Sequence, residues 1–152
     1  MALRLASNHS QKIFLATAEA LDQEMSDRIA HHRLERGNDW ITVEEPVFLG
    51  KVLKENPTQL ILVDCITLWL SNVMMRFEDQ SQIETEIDLF CEALQTRAAT
   101  TILVTNEVGM GIVPENQNAR LFRDLAGKTN QRIAAISHRV ILMVSGLPIN
   151  LK

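Results

Sequence analysis

The feature that most constrains the fold is a pair of short apolar runs that each end abruptly in polar residues. Leu60–Val63 runs into Asp64, and Ile102–Val104 runs into Thr105, Asn106 and Glu107. A strand with one wet face alternates apolar and polar side chains. A run without a polar break fits a strand covered on both faces, hence a parallel sheet. In open sheets of that kind ligands bind beyond the carboxyl ends of the strands. Asp64 and the Thr105–Glu107 triplet therefore stand where chemistry is expected. Gly109, Gly111 and Pro114 follow the second run, in a loop too apolar for a mere linker. The plainer reading of both places is a strand end with a solvated turn, because loops connect as well as act.

The rest of the chain alternates in the same way. Ala2–Ala6 reads as the last turns of a helix, and Lys12–Ala16 as a strand with Thr17 at its carboxyl end. Leu21–Arg36 reads as a helix whose apolar stripe is Leu21, Met25 and Ile29. Gly37 is its stop. Trp40–Glu44 is strand-like, and Pro46 opens a short helix to about Asn56. A helix over Thr67–Arg76 and an amphipathic one over Ile83–Ala98 precede the Ile102 strand, the latter with Ile83, Ile87, Phe90 and Leu94 inward. A helix from Asn118 to Ser137 follows, then Val140–Val144 as another buried strand and a final short one after Gly146 and Pro148. Strands alternating with helices make an α/β domain with a mainly parallel sheet flanked by helices. At 152 residues one domain spanning the whole chain is expected.

Composition narrows the partners. The net charge is −4 and no basic face clusters, so neither nucleic acid nor an anionic membrane is an expected partner. A phosphate site must be made locally, from backbone N–H groups, a few Arg or Lys side chains and a metal. The two cysteines, Cys65 and Cys91, read as buried free thiols. No 18-residue apolar run or leader pattern is present, and the chain reads as cytoplasmic.

His31 and His32 sit side by side on the first long helix. Neighbouring helical residues point about 100° apart, so the pair does not clamp one metal as an i,i+4 pair does. Surface histidines are the plain alternative. Asp64 is either the acid of a phosphate-binding fold, holding Mg²⁺ directly or through water, or a cap for the next helix. Arg33 could reach a phosphate or decorate the surface. Glu44 alone is a solvated strand end. Arg120 and Asp124, spaced i,i+4, read as a structural ion pair.

The wording of these segments is specific. Val104-Thr105-Asn106-Glu107-Val108-Gly109-Met110-Gly111-Ile112-Val113-Pro114 closely resembles the bifunctional adenosylcobinamide kinase / adenosylcobinamide-phosphate guanylyltransferase family of cobalamin biosynthesis. The likeness extends to Arg120–Gly127, Asn130-Gln131-Arg132, Ala16-Thr17-Ala18, Asp22–Met25, His31-His32 and Val63–Trp69, nearly the whole chain. It implies a phosphate-loop nucleotide-binding fold of the RecA-like type. It also implies GTP as nucleotide (ATP possible), Mg²⁺, a corrinoid substrate and a homo-oligomer. On this resemblance His31 is the nucleophile that carries GMP, with His32 as the alternative. Ala16, Thr17 and Ala18 form a nucleotide-contacting turn, Glu44 contacts guanosine, and Arg33 and Asp64 attend the phosphates and metal. Asn106 and Glu107 polarise substrate or order Mg²⁺-bound water, and the Gly109–Asn116 loop is the first place to look for the corrinoid.

One departure is large. The family resemblance implies an N-terminal strand and a G-x-x-x-x-G-K-[ST] loop that supplies backbone N–H groups, a lysine and a hydroxyl to the triphosphate. None of the six glycines fits: Gly50-Lys51 is followed by Val52, and Gly127-Lys128-Thr129 has Phe122 where the first glycine belongs. The chain is therefore expected to be truncated at its N-terminus relative to the family, with the first strand and P-loop absent. The kinase activity then loses its cradle, and the vacated place in the sheet becomes an unpaired slot. A non-catalytic, oligomeric remnant of the family is the alternative expectation.

Overall fold

The computed structural model describes residues 1–37 and 39–152, without the side chain of Glu35. The chain falls into two compact units, Met1–Glu107 and Val108–Lys152.

The first unit holds helix α1 (Ala2–Leu5), strand β1 (Lys12–Ala16), helix α2 (Gln23–Arg36), strand β2 (Ile41–Glu44), helix α3 (Leu49–Glu55), strand β3 (Leu60–Asp64), helices α4 (Ile66–Arg76) and α5 (Gln80–Thr96), and strand β4 (Thr101–Val104). The four strands form one sheet in the order β2-β1-β3-β4. All three pairings are parallel. The fold is α/β: a parallel four-stranded sheet flanked by helices.

β1 and β3 are central, and every residue but the last of each is buried. β2 is largely exposed and β4 half-buried, because each closes an edge of the sheet. The unbroken apolar run of β4 thus overstated its burial. The expected slot in the sheet is not observed among the described residues. β3 hydrogen-bonds β4 directly, with Ile61 opposite Thr101 and Asp64 opposite Val104, so the backbone of β4 satisfies the edge that would otherwise lie open.

Wholly buried Trp69, Phe90, Leu15, Leu53, Ile61 and Leu70 form the centre of this unit's core. The Trp69 and Phe90 rings meet at 4.9 Å, and the indole Nε1 donates to the Val47 carbonyl at 2.6 Å, so the buried ring leaves no polar atom unpaired. α3 crosses α5 at Gly50. A Cβ there would stand 3.0 Å from the Leu89 carbonyl oxygen and 3.1 Å from its carbon. Gly50→Ala is expected to lower stability by about 1–2 kcal/mol, overpacking outweighing the gain in helix propensity; urea unfolding followed by circular dichroism checks it.

The helix ends are capped as the residue types demand. The Asp22 carboxylate accepts from Met25 N–H at 2.7 Å, and Gly37 ends α2 at φ +74°. Glu45, not Pro46, organises the start of the α3 region by accepting from both Val47 and Phe48 N–H at 2.9 Å. Leu21 precedes α2 and is 75% exposed, so the expected stripe of α2 is corrected. Met25 and Ile29 are only half-buried, and the Arg36 guanidinium stacks on the Phe14 ring of β1.

The second unit opens with a 3-10 turn (Val108–Met110), continues with helix α6 (Gln117–Ile136) and ends in strands β5 (Ile141–Val144) and β6 (Leu147–Asn150). β5 is not the buried strand expected. It pairs antiparallel with β6 in a two-stranded ribbon, and its residues are half-buried or exposed. The two-residue turn explains this: Ser145 at φ 51° and Gly146 at φ 79° reverse the chain at once. Gly127 lies inside α6, so the Gly127-Lys128-Thr129 sequence is helical and cradles no phosphate.

Candidate functional site at the carboxyl ends of the strands

Parallel register brings the strand ends level. Ala16 stands opposite both Glu44 and Asp64, and Asp64 opposite Val104. The expected residues Ala16, Thr17, Ala18, Glu44, Asp64, Asn106 and Glu107 therefore all belong to one rim of one sheet.

Buried Thr17 ties this rim together. Its Oγ1 accepts from Cys65 N–H at 2.8 Å and donates to the Cys65 carbonyl at 2.9 Å. Its own N–H donates to the Asp64 carbonyl at 3.2 Å, and its carbonyl accepts from Asn72 Nδ2 at 2.7 Å. The hydroxyl is thus spent inside the protein. Thr17 fixes the turn from within, and the half-buried Ala16 and Ala18 flank it. Thr17→Val keeps the shape and orphans the Cys65 N–H. The expected loss is about 1–3 kcal/mol, read from thermal or urea unfolding.

The network continues sideways. Cys65 Sγ lies 3.2 Å from Thr67 Oγ1, which accepts from Asn106 Nδ2 at 2.7 Å. Asn106 is thereby tied to the start of α4, directly after Asp64. Glu107 follows it on the exposed segment beyond β4.

Asp64 is the half-buried acid at the centre of the rim. Burial raises its carboxyl above the usual range, and the charges of His32 and Arg36 pull it back down. Arg36 is four residues on from His32 and three from Arg33, so on the helix surface it lies between the two. Arg33 pairs with the Glu44 carboxylate, both side chains remaining about half exposed, a pair that contributes little to stability. His31 and His32 are both exposed. His32 is the member whose charge acts on Asp64; His31 points about 100° around the helix from it.

Arg36, Phe14, Thr67 and Asn72 were not singled out from the sequence. Helical spacing from the histidine pair would have found Arg36. Asn72, a polar residue in an otherwise apolar helix, signalled its buried bond. Among the described residues no three His, Cys, Asp or Glu side chains are placed to hold a metal together. Asp64 alone is a donor suited to Mg²⁺, which takes one or two carboxylates and completes its shell with water and substrate phosphates.

In the second unit the end of the 3-10 turn exposes Met110 (78%) and the loop after it exposes Ile112 (95%). α6 braces it: Arg123 Nη2 donates to the Gly109 carbonyl at 2.7 Å. Arg120 Nη1 donates to the carbonyls of Pro114 and Glu115, at 3.0 and 2.5 Å, in place of the expected pairing with Asp124. Both cysteines are free and buried. No helix among the described residues is long and apolar enough to cross a membrane.

The chain is similar to known proteins over nearly its whole length. Residues 1–151 match the family described as cobinamide kinase / cobinamide phosphate guanyltransferase. The chain is 38% identical over 162 residues to the bifunctional adenosylcobalamin biosynthesis protein CobU of Escherichia coli (strain K12), covering 97% of this chain and 90% of that protein. The CobU protein of Salmonella typhimurium has the same identity and coverage. The bifunctional adenosylcobalamin biosynthesis protein CobP of Pseudomonas aeruginosa is 39% identical over 155 residues, 100% of this chain and 89% of that protein. With the family matched almost end to end, this chain belongs to the cobinamide kinase / cobinamide phosphate guanyltransferase family.

Proposed function

We propose that this chain transfers GMP from GTP to adenosylcobinamide phosphate through a histidine on α2. What supports the reading is the level register of the strand ends, which sets Glu44 and Asp64 on either side of Ala16, with Arg33 of α2 paired to Glu44. Arg33 directly follows the histidine pair, so its bond to Glu44 ties the histidine-bearing helix to the end of the sheet where an α/β fold takes its ligand. His31 is the nucleophile on this reading and His32 its alternative.

The neutral ring nitrogen attacks the α-phosphorus, a P–N bond forms, the bond to the bridging oxygen breaks, and pyrophosphate leaves. A phosphate oxygen of the corrinoid then attacks the same phosphorus and frees the histidine. Covalent catalysis of this kind divides one difficult transfer into two easier ones. Glu44 offers acceptors to guanosine, and Arg33 stands beside it to orient that acid. Mg²⁺, where bound at Asp64 with the phosphates, supplies charge neutralisation for the departing pyrophosphate. Asn106 and Glu107 orient the substrate phosphate or ordered water. The protein acts as a homo-oligomer in the cytoplasm, and the apolar loop around Ile112 receives the corrinoid.

The test is direct. The chain is incubated with α-labelled GTP and Mg²⁺, and the protein is examined for acid-labile, base-stable label. Label is expected, and it should be discharged by adenosylcobinamide phosphate. A well-folded chain that takes no label overturns the transfer reading and leaves a non-catalytic member of the family. The family's kinase activity calls for a G-x-x-x-x-G-K-[ST] loop, which none of the six glycines supplies; phosphorylation of adenosylcobinamide is accordingly a separate assay, run with ATP and with GTP.

A further inference from the structure

Arg36 holds an unusual position on the rim. Its guanidinium carbon lies 3.6 Å from the centroid of the Phe14 ring, and that ring meets Trp40 edge-on at 6.0 Å. Stacking fixes the plane of the fork and leaves its edges to make hydrogen bonds. Yet Nη1 is buried and has no hydrogen-bond partner among the described residues. A buried charged donor without a partner is costly, and native structures rarely keep one without a reason. The neighbouring acids do not supply the partner: Glu44 accepts from Arg33, and Asp64 acts on Arg36 through its charge.

We propose that Arg36 is an anion ligand of this site and that its guanidinium, held over Phe14, receives a phosphate oxygen of the nucleotide. The assignment rests on the nucleotide reading above and goes beyond it, because the sequence motifs place no role at this position. A planar fork pinned against an aromatic face is pre-organised for an oxyanion, so little side-chain freedom is lost on binding. The electrostatics agree. Burial lowers the pKa of Arg36 and Arg33 lowers it further, while Asp64 and Glu44 raise it. A phosphate would add negative charge where the guanidinium has lost water.

Calorimetric titration of the whole chain with GTP, guanosine and pyrophosphate tests the assignment. Arg36→Met keeps an unbranched stem against Phe14 and removes the charge. It is expected to weaken GTP and pyrophosphate roughly ten- to a hundredfold, the range for a charge-assisted hydrogen bond, and to leave guanosine unchanged. Arg36→Lys, which keeps charge and loses the fork, should fall between; it carries the test if the methionine variant does not fold. GTP bound as tightly by Arg36→Met as by the wild type overturns the assignment and leaves the nucleotide reading standing. Equal weakening of GTP and guanosine also overturns it, since that marks a structural role. Pyrophosphate bound by the wild type where GTP is not would sink the nucleotide reading and keep Arg36 as an anion ligand. A wild type that binds neither overturns both.

Discussion

His31→Ala is expected to abolish the GMP adduct, with transfer to the corrinoid falling by at least about a thousandfold, as removal of a covalent nucleophile does. The structure makes the result interpretable. Both histidines are exposed on α2, and surface substitutions generally change stability by about 0.5 kcal/mol or less. Loss of label with an unchanged melting curve therefore reports lost chemistry. His32→Ala is expected to keep the adduct and slow its formation, since it removes only the charge beside Asp64. The reverse pattern, label kept in His31→Ala and lost in His32→Ala, would transfer the nucleophile to the residue whose charge acts on Asp64.

Asp64→Asn is expected to reduce transfer by about a hundred- to a thousandfold while raising the stability of the free chain at neutral pH. The first effect follows from deleting the half-buried negative charge of the rim, where one electrostatic group carries that much of a rate. The second follows from linkage. Burial raises the Asp64 carboxyl above its ordinary value, outweighing the opposing charges of His32 and Arg36. A folded state that holds the proton more tightly than the unfolded chain is favoured below the ordinary carboxylate range and loses that advantage as pH rises through the raised value. At pH 7 the ionised Asp64 is thus a burden on the fold, and the amide removes it. Urea midpoints measured from pH 3 to pH 8 should separate variant from wild type most at the high end. A variant less stable than wild type at pH 7, or one that transfers GMP normally, would refute this account of Asp64.

Much of the rim was legible without coordinates. Asp64 ended an apolar run, Thr17 ended another strand, and parallel strands put such ends together on one side of a sheet. Helix ends were legible to within a few residues, because Asp22 and Gly37 carry local cap chemistry. The failures have physical causes. Leu21 matched the periodicity of α2, but a pattern cannot tell that the helix begins two residues later, at Gln23. Val140–Val144 had the composition of a core strand, but its burial depended on whether a turn or a crossover followed, and Ser145-Gly146 made a turn. The Arg120–Asp124 spacing invited an ion pair, but the carbonyls of Pro114 and Glu115 offered acceptors nearer in space.

What the sequence determined by itself was the class of fold and the family, since runs of apolar residues and strings of motif residues are local properties of a chain. What the tertiary structure decided was the use of each polar group. Thr17 is consumed inside the protein because its partner Cys65 follows the neighbouring strand β3, and Arg36 has an Nη1 without a partner among the described residues because its guanidinium lies on the Phe14 ring of β1. Hydrogen bonding and desolvation depend on what packs alongside, and residues 48 positions apart, such as Thr17 and Cys65, become neighbours only once the strands have paired.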